Sequence, residues 1–116
     1  MKKLIVLFLF IVGLFSGCSK VSDEDLLKAR EAVENGALIV DVRTPKEFQE
    51  KHVLGAKNLP IQEIMKGNIK LPKNKEIVVY CRTGSRSRIS AKVLREQGWN
   101  VYDVATQSDW EREIKH

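Results

Sequence analysis

The stretch from Ile77 to Gly98 admits few architectures. Ile77-Val78-Val79-Tyr80 is short, apolar and rich in β-branched residues, the pattern of a strand buried on both faces. Cys81-Arg82-Thr83-Gly84-Ser85-Arg86-Ser87 follows without a linker, and Ser87 to Gln97 reads as a helix stopped by Gly98. A strand running through a tight loop into a helix is half of a βαβ unit, and a strand of this composition belongs in a parallel sheet with covered faces.

The rest of the chain repeats the alternation. Ser22-Asp23-Glu24-Asp25 starts an amphipathic helix carrying Leu26, Leu27, Ala29, Arg30 and Val33, and Asn35-Gly36 stops it. Ala37 to Val42 predicts a buried strand, and Thr44-Pro45-Lys46-Glu47 is a capping box with proline at the first helical position, opening a helix to about Lys51. Gly55 to Pro60 is a loop with room for a short strand, Ile61 to Lys66 a short helix ended by Gly67, and Pro72 to Lys75 a turn. A strand is expected over Trp99–Val104, and Ser108-Asp109-Trp110-Glu111 reads as a third capping box. The expected fold is α/β: a central parallel sheet with helices on both faces. Ligands in such sheets sit beyond the carboxyl ends of the strands, where Cys81 stands on one strand and Asp41 and Arg43 on another.

A length of 116 residues leaves room for one domain. The N-terminus reads as a leader. Lys2-Lys3 precede the apolar run Leu4 to Phe15, which is shorter than the roughly 20 residues a membrane span needs. Phe15-Ser16-Gly17-Cys18 resembles a bacterial lipobox, in which the cysteine is acylated and becomes the new N-terminus, although Phe15 stands where leucine is usual. An uncleaved anchor or an ordinary secretory signal are the alternatives, and no Ala-x-Ala cleavage site is visible. The expected organisation is a lipoprotein signal peptide at residues 1–17, a lipidated tether at 18–22 beginning with Cys18, and one domain at 23–116. That places the domain in a bacterial cell envelope, lipid-anchored and outside the cytoplasm, in the periplasm or at the cell surface.

The formal charge is +5, and +3 without Lys2 and Lys3. With no long basic run and no aromatic-basic interleaving, nucleic acid is not an expected partner. If Cys18 carries lipid, Cys81 has no partner for a disulfide in an oxidising compartment. Such a thiol is either buried and inert or kept because it reacts. Loop amides, a helix N-terminus and two arginines around Cys81 favour an anionic sulfur and also cradle an oxyanion. Arg82, Thr83, Gly84, Ser85, Arg86 and Ser87 are therefore the expected substrate-binding residues, with Arg86 first and Arg82 second as the fork that holds an anion.

Three blocks together resemble the single-domain rhodaneses: Asp41 to Phe48, His52 to Pro60 and Cys81 to Ser87, in the family's order and within a span covering nearly all of the chain after about residue 25. The resemblance implies a rhodanese-like fold and the transfer of sulfane sulfur from donors such as thiosulfate to a thiol or cyanide acceptor. It implies that Cys81 is the catalytic, persulfide-forming residue; no cofactor is expected, and no metal either, since the only histidine besides His52 is His116. The family often carries a Gly-Gly pair before its last tryptophan; here Ala105-Thr106-Gln107-Ser108-Asp109 precedes Trp110, which bears on one wall of the site.

Competing readings are set by spacing. Cysteine phosphatases and arsenate reductases separate Cys and Arg by five residues, whereas four separate Cys81 from Arg86. A shorter loop suits one transferred sulfur rather than a phosphate. A non-enzymatic persulfide carrier or binding module is the remaining alternative. Asp41, Arg43 and Glu47 are expected to be structural near the site, with Arg43 pairing Glu47 and Asp41 accepting loop N–H groups. His52 reads as a hydrogen-bonded packing residue; Trp99, Tyr102 and Trp110 as core or rim. Arg88, Lys92 and Arg95 form a basic stripe, solvated or facing an acidic protein partner.

Overall fold

The computed structural model describes residues 21–115. The expected leader at 1–17 and the expected acylation site Cys18 lie outside the described residues. Among the described residues nine elements alternate: α1 (Asp23–Glu34), β1 (Leu38–Asp41), α2 (Pro45–Glu50), β2 (Lys57–Asn58), α3 (Ile61–Met65), β3 (Ile77–Cys81), α4 (Ser85–Glu96), β4 (Val101–Thr106) and α5 (Gln107–Glu111). The strands form one sheet in the order β2-β1-β3-β4, parallel at every pairing.

The central strands owe their place to their composition. All five residues of β3 are buried, as are three of the four in β1. One face of the sheet packs Val40, Ile77, Val79 and Val101 against Ile64 of α3 and Ala91 and Leu94 of α4. The opposite face packs Ile39, Val78, Tyr80 and Val104 against Leu26 and Ala29 of α1, with Trp110 and Ile114 partly buried beside them. Helices thus cover both faces, as the apolar strands require. Each fully buried Leu, Ile or Val contributes about 1.5–3 kcal/mol, so these two layers hold the molecule together.

Local chemistry sets the boundaries, with three departures from the sequence reading. The α4 helix begins at Ser85, two residues earlier than its spacing suggested. The last strand is Val101–Thr106 rather than Trp99–Val104, because Trp99 turns into the core and its indole N–H donates to the Pro72 carbonyl at 3.0 Å. The third cap is Thr106, not Ser108. Thr106 leaves β4 in an extended conformation, and its hydroxyl accepts from the Asp109 amide at 3.0 Å, so α5 starts at Gln107.

Near the end of β4 the register slips: Val79 opposes Asp103, but Cys81 opposes Thr106. The extra residue on β4 is a bulge beside the cysteine loop. Ala105 absorbs it at φ 65°, with its amide bonded to Asp103 Oδ1 at 2.9 Å. A glycine would adopt this left-handed backbone at little cost, whereas alanine is strained there.

Candidate active site at the carboxyl end of the sheet

Cys81 is the last residue of β3 and is 2% exposed. The chain leaves it through Arg82 and Thr83, both exposed, and re-enters regular structure at Gly84, which adopts φ 100° and serves as the N-cap of α4. The left-handed glycine turns the loop back on its starting point. The Gly84 amide donates to Cys81 Sγ at 3.0 Å and the Ser87 amide at 3.3 Å. Both amides lie at a helix start, where N–H groups have no partner within the helix. No side chain caps α4. Ser87 is buried, and its hydroxyl donates to the Gly84 carbonyl at 3.1 Å, while the Thr83 and Ser85 hydroxyls lie 3.0 Å apart. A Cβ at residue 84 would meet the Ala105 Cβ at 3.3 Å, so the bulge on β4 fills the space behind the loop.

The charges around the loop fall into two groups. At the end of β1, Asp41 is fully buried and holds Arg43 through four contacts: the Arg43 amide and Nε to Oδ1, both at 2.9 Å, and the guanidinium to Oδ2 at 3.0 and 2.6 Å. Arg43 also donates to the Lys51 carbonyl at 2.5 Å and lies over the Tyr80 ring. The carboxylate bonded to it raises the Arg43 pKa. Burial pushes the Tyr80 hydroxyl well above the usual tyrosine range, and that hydroxyl accepts from the Val53 amide at 2.9 Å.

Glu47 belongs to the second group. It closes the capping box of α2 by accepting from the Thr44 amide and hydroxyl, each at 3.1 Å. The same carboxylate takes the Arg86 guanidinium in a two-point pair, at 2.8 and 3.0 Å. The Arg86 fork lowers the Glu47 carboxyl to about 2. Glu47 in turn raises Arg86, to which the nearby Cys81 sulfur contributes more weakly. Arg82 reaches no closer than 3.9 Å to Glu47, and its side chain is 74% exposed.

The expected set is therefore assembled, with two changes of partner. Arg43 pairs with Asp41 rather than Glu47, and Asp41 accepts the Arg43 amide as a loop acceptor was expected to. Arg86 spends its fork on a carboxylate, leaving Arg82 as the exposed cation of the loop. The Glu47–Arg86 contact joins residues 39 apart, and neither motif advertises it. The capping-box glutamate was the available signal, since closing the cap uses only part of a carboxylate's acceptor capacity. Among the described residues no group of three or more His, Cys, Asp or Glu side chains could hold a metal.

The remaining residues singled out in the sequence take other places in the fold. His52 is exposed, stacked on Phe48 at 3.8 Å, with Nδ1 2.7 Å from the Phe48 carbonyl. Tyr102 is half-buried and donates to Glu76 at 3.1 Å. Arg88 and Lys92 are exposed, whereas Arg95 donates to the Val101 carbonyl at 2.8 Å and ties α4 to β4.

Comparison with known proteins finds relatives over most of the described residues. The model of the rhodanese-like domain matches residues 23–106. A sulfurtransferase of Allochromatium vinosum is 35% identical over 77 residues, covering 66% of this chain and 72% of its own. The thiosulfate sulfurtransferase PspE of Escherichia coli is 36% identical over 68 residues, covering 57% of this chain and 65% of its own. The chain spans only 49% of the Bacillus subtilis protein YqhL, at 36% identity over 62 residues. Among solved structures, a rhodanese-related protein from Thermoplasma volcanium aligns with a TM-score of 0.62 at 29% identity, over 79% of this chain and 89% of that one. The human single-domain sulfurtransferase TSTD1 shares the fold with a TM-score of 0.62 at 22% identity, over 84% of this chain and 99% of its own.

Proposed function

The chain belongs to the rhodanese-like domain family, and on that premise we propose that it is a sulfurtransferase that carries sulfane sulfur on Cys81. The observation that carries this reading is the convergence of the Gly84 and Ser87 amides on Cys81 Sγ at the start of α4. Fixed N–H donors favour negative charge on sulfur, both in the thiolate and in the persulfide that follows it.

In the proposed reaction the Cys81 thiolate attacks the outer sulfur of the donor. With thiosulfate, a new S–S bond forms, the S–S bond of the donor breaks, and sulfite leaves with the electron pair. The product is Cys81–S–S⁻. An acceptor thiolate, or cyanide, then attacks the outer sulfur, and the Cys81 thiolate leaves with the bonding pair. No net oxidant or reductant is consumed. The backbone from Arg82 to Ser87 cradles the transferred sulfur, Gly84 keeps the backbone close to it, and Arg82 meets the anionic part of the donor.

The donor is a small sulfur-containing anion and the acceptor a thiol. Lys2-Lys3, the apolar run and Ser16-Gly17-Cys18 support export and acylation at Cys18. The enzyme would then work in the bacterial envelope, held by its lipid and facing outside the cytoplasm. The exposed Arg88 and Lys92 leave a basic stripe for an acidic protein partner.

The test is direct. Intact-mass spectrometry after thiosulfate treatment should show one added sulfur, removed by cyanide, and none on a Cys81→Ser protein. Sulfur added elsewhere, or turnover surviving in the mutant, refutes the assignment.

A further inference from the structure

Five charged side chains at the ends of β1 and β3 and the starts of α2 and α4 bear on the cysteine loop through their pairing: Asp41, Arg43, Glu47, Arg82 and Arg86. Asp41 cancels Arg43 in the four-contact pair at the end of β1. Glu47 cancels Arg86 through two hydrogen bonds. Arg82 alone of the five is left without a close carboxylate, being 3.9 Å from an oxygen already engaged with Arg86. These five side chains together carry one net positive charge, and it sits on Arg82, whose side chain is 74% exposed.

We propose that Glu47 sets the charge class of the sulfur donor: by occupying the Arg86 fork it matches the site to a monoanionic sulfane, such as an organic thiosulfonate or a hydropersulfide, in preference to a dianion such as thiosulfate. The inference rests on the sulfurtransferase reading above and specifies its substrate. The physical ground is simple. A second negative charge on the donor gains attraction from every uncompensated cation and suffers repulsion from every carboxylate in the partly desolvated loop. Glu47 faces the loop through Arg86 and Arg82, so its charge acts on whatever those two arginines approach. It does not touch the reacting sulfur and is a positioning and specificity residue.

Two donors that differ by one charge separate this role from a structural one. Thiosulfate carries two negative charges and methanethiosulfonate one. Both pass their outer sulfur to the Cys81 thiolate with cleavage of one S–S bond, releasing sulfite and methanesulfinate respectively with the electron pair. The quantity to measure is kcat/KM for thiosulfate divided by kcat/KM for methanethiosulfonate, with cyanide as acceptor. Glu47→Gln keeps an oxygen for the Thr44 amide, preserves the cap and removes the charge. It should raise the ratio by about three- to tenfold, an effect that shrinks as salt is added. Arg82→Gln, on an exposed side chain, should lower the ratio by a similar factor and keeps the test open should the Glu47 variant fold poorly.

A loss of activity equal for both donors in Glu47→Gln would mean a purely structural role and overturn the inference. So would a ratio unchanged in both variants. Wild-type protein that forms a persulfide from neither donor would instead refute the sulfurtransferase reading, and this inference with it.

Discussion

The two helix starts that meet at the site are built in opposite ways. The N-terminus of α2 is closed by its own residues: Thr44 accepts from the Glu47 amide, Glu47 accepts from the Thr44 amide, and Pro45 removes a donor. The N-terminus of α4 has a left-handed glycine in place of a capping side chain, and two of its amides turn to the sulfur of the preceding strand. One end satisfies its orphan donors locally and gains stability; the other delivers them to the Cys81 sulfur. Glu47–Arg86 then locks the closed end to the open one. A helix N-terminus is thus either a structural joint or a chemical site, according to what its N–H groups find.

Breaking the open end should have the largest effect. Cys81→Ser should abolish sulfur release from thiosulfate while leaving the melting temperature nearly unchanged, read by a sulfite assay and a thermal melt. Persistent turnover would remove the sulfur from the centre of the comparison. Gly84→Ala attacks the same end through the backbone. At φ 100°, with the Ala105 Cβ 3.3 Å from the new methyl, it should cost about 1–2 kcal/mol and lower turnover further than that loss explains. Denaturant melts beside activity at matched folded fraction decide it.

At the closed end, Thr44→Ala should cost about 1 kcal/mol in a denaturant melt and affect turnover only through stability. A large drop in kcat with little loss of stability would show that the two ends are not distinct. The lock between them has an acid signature. The Glu47 carboxyl is held at about 2, below its unfolded value. Its contribution is therefore complete above the ordinary glutamate range near 4.3 and fades as pH falls toward 2. The stability advantage of wild type over Glu47→Gln should be flat above about pH 5.5 and shrink below it. An advantage that grows on acidification would contradict the pairing. The smallest effect is expected at Ala105→Gly, where relief of the left-handed strain should stabilise by under about 1 kcal/mol.

Much of this was open to a reader of the sequence. The run Ile77–Tyr80, the Thr44-Pro45-Lys46-Glu47 box and the glycine at 84 are local statements, because strand burial, capping and a positive φ depend on residues a few positions apart. Three blocks in order were enough for the rhodanese resemblance, and the family match and the parallel sheet with helices on both faces bear it out. Element ends were less legible. Ser108 heads a capping box by its spacing, yet the bulge that carries β4 on to Thr106 moves the cap there.

Which carboxylate takes which arginine was not local at all. Arg43 is nearer in sequence to Glu47 than Arg86 is, yet it folds back on Asp41, and Glu47 reaches across to a residue 39 positions on. Sequence alone determined that charged groups would surround a cysteine at a strand end, since composition and period place them there. Their partners were decided by the parallel pairing of β1 with β3, which sets the start of α2 beside the start of α4. Hydrogen bonds fall off within tenths of an ångström, so the choice among several nearby arginines is made by the packed backbone and not by the chain's order.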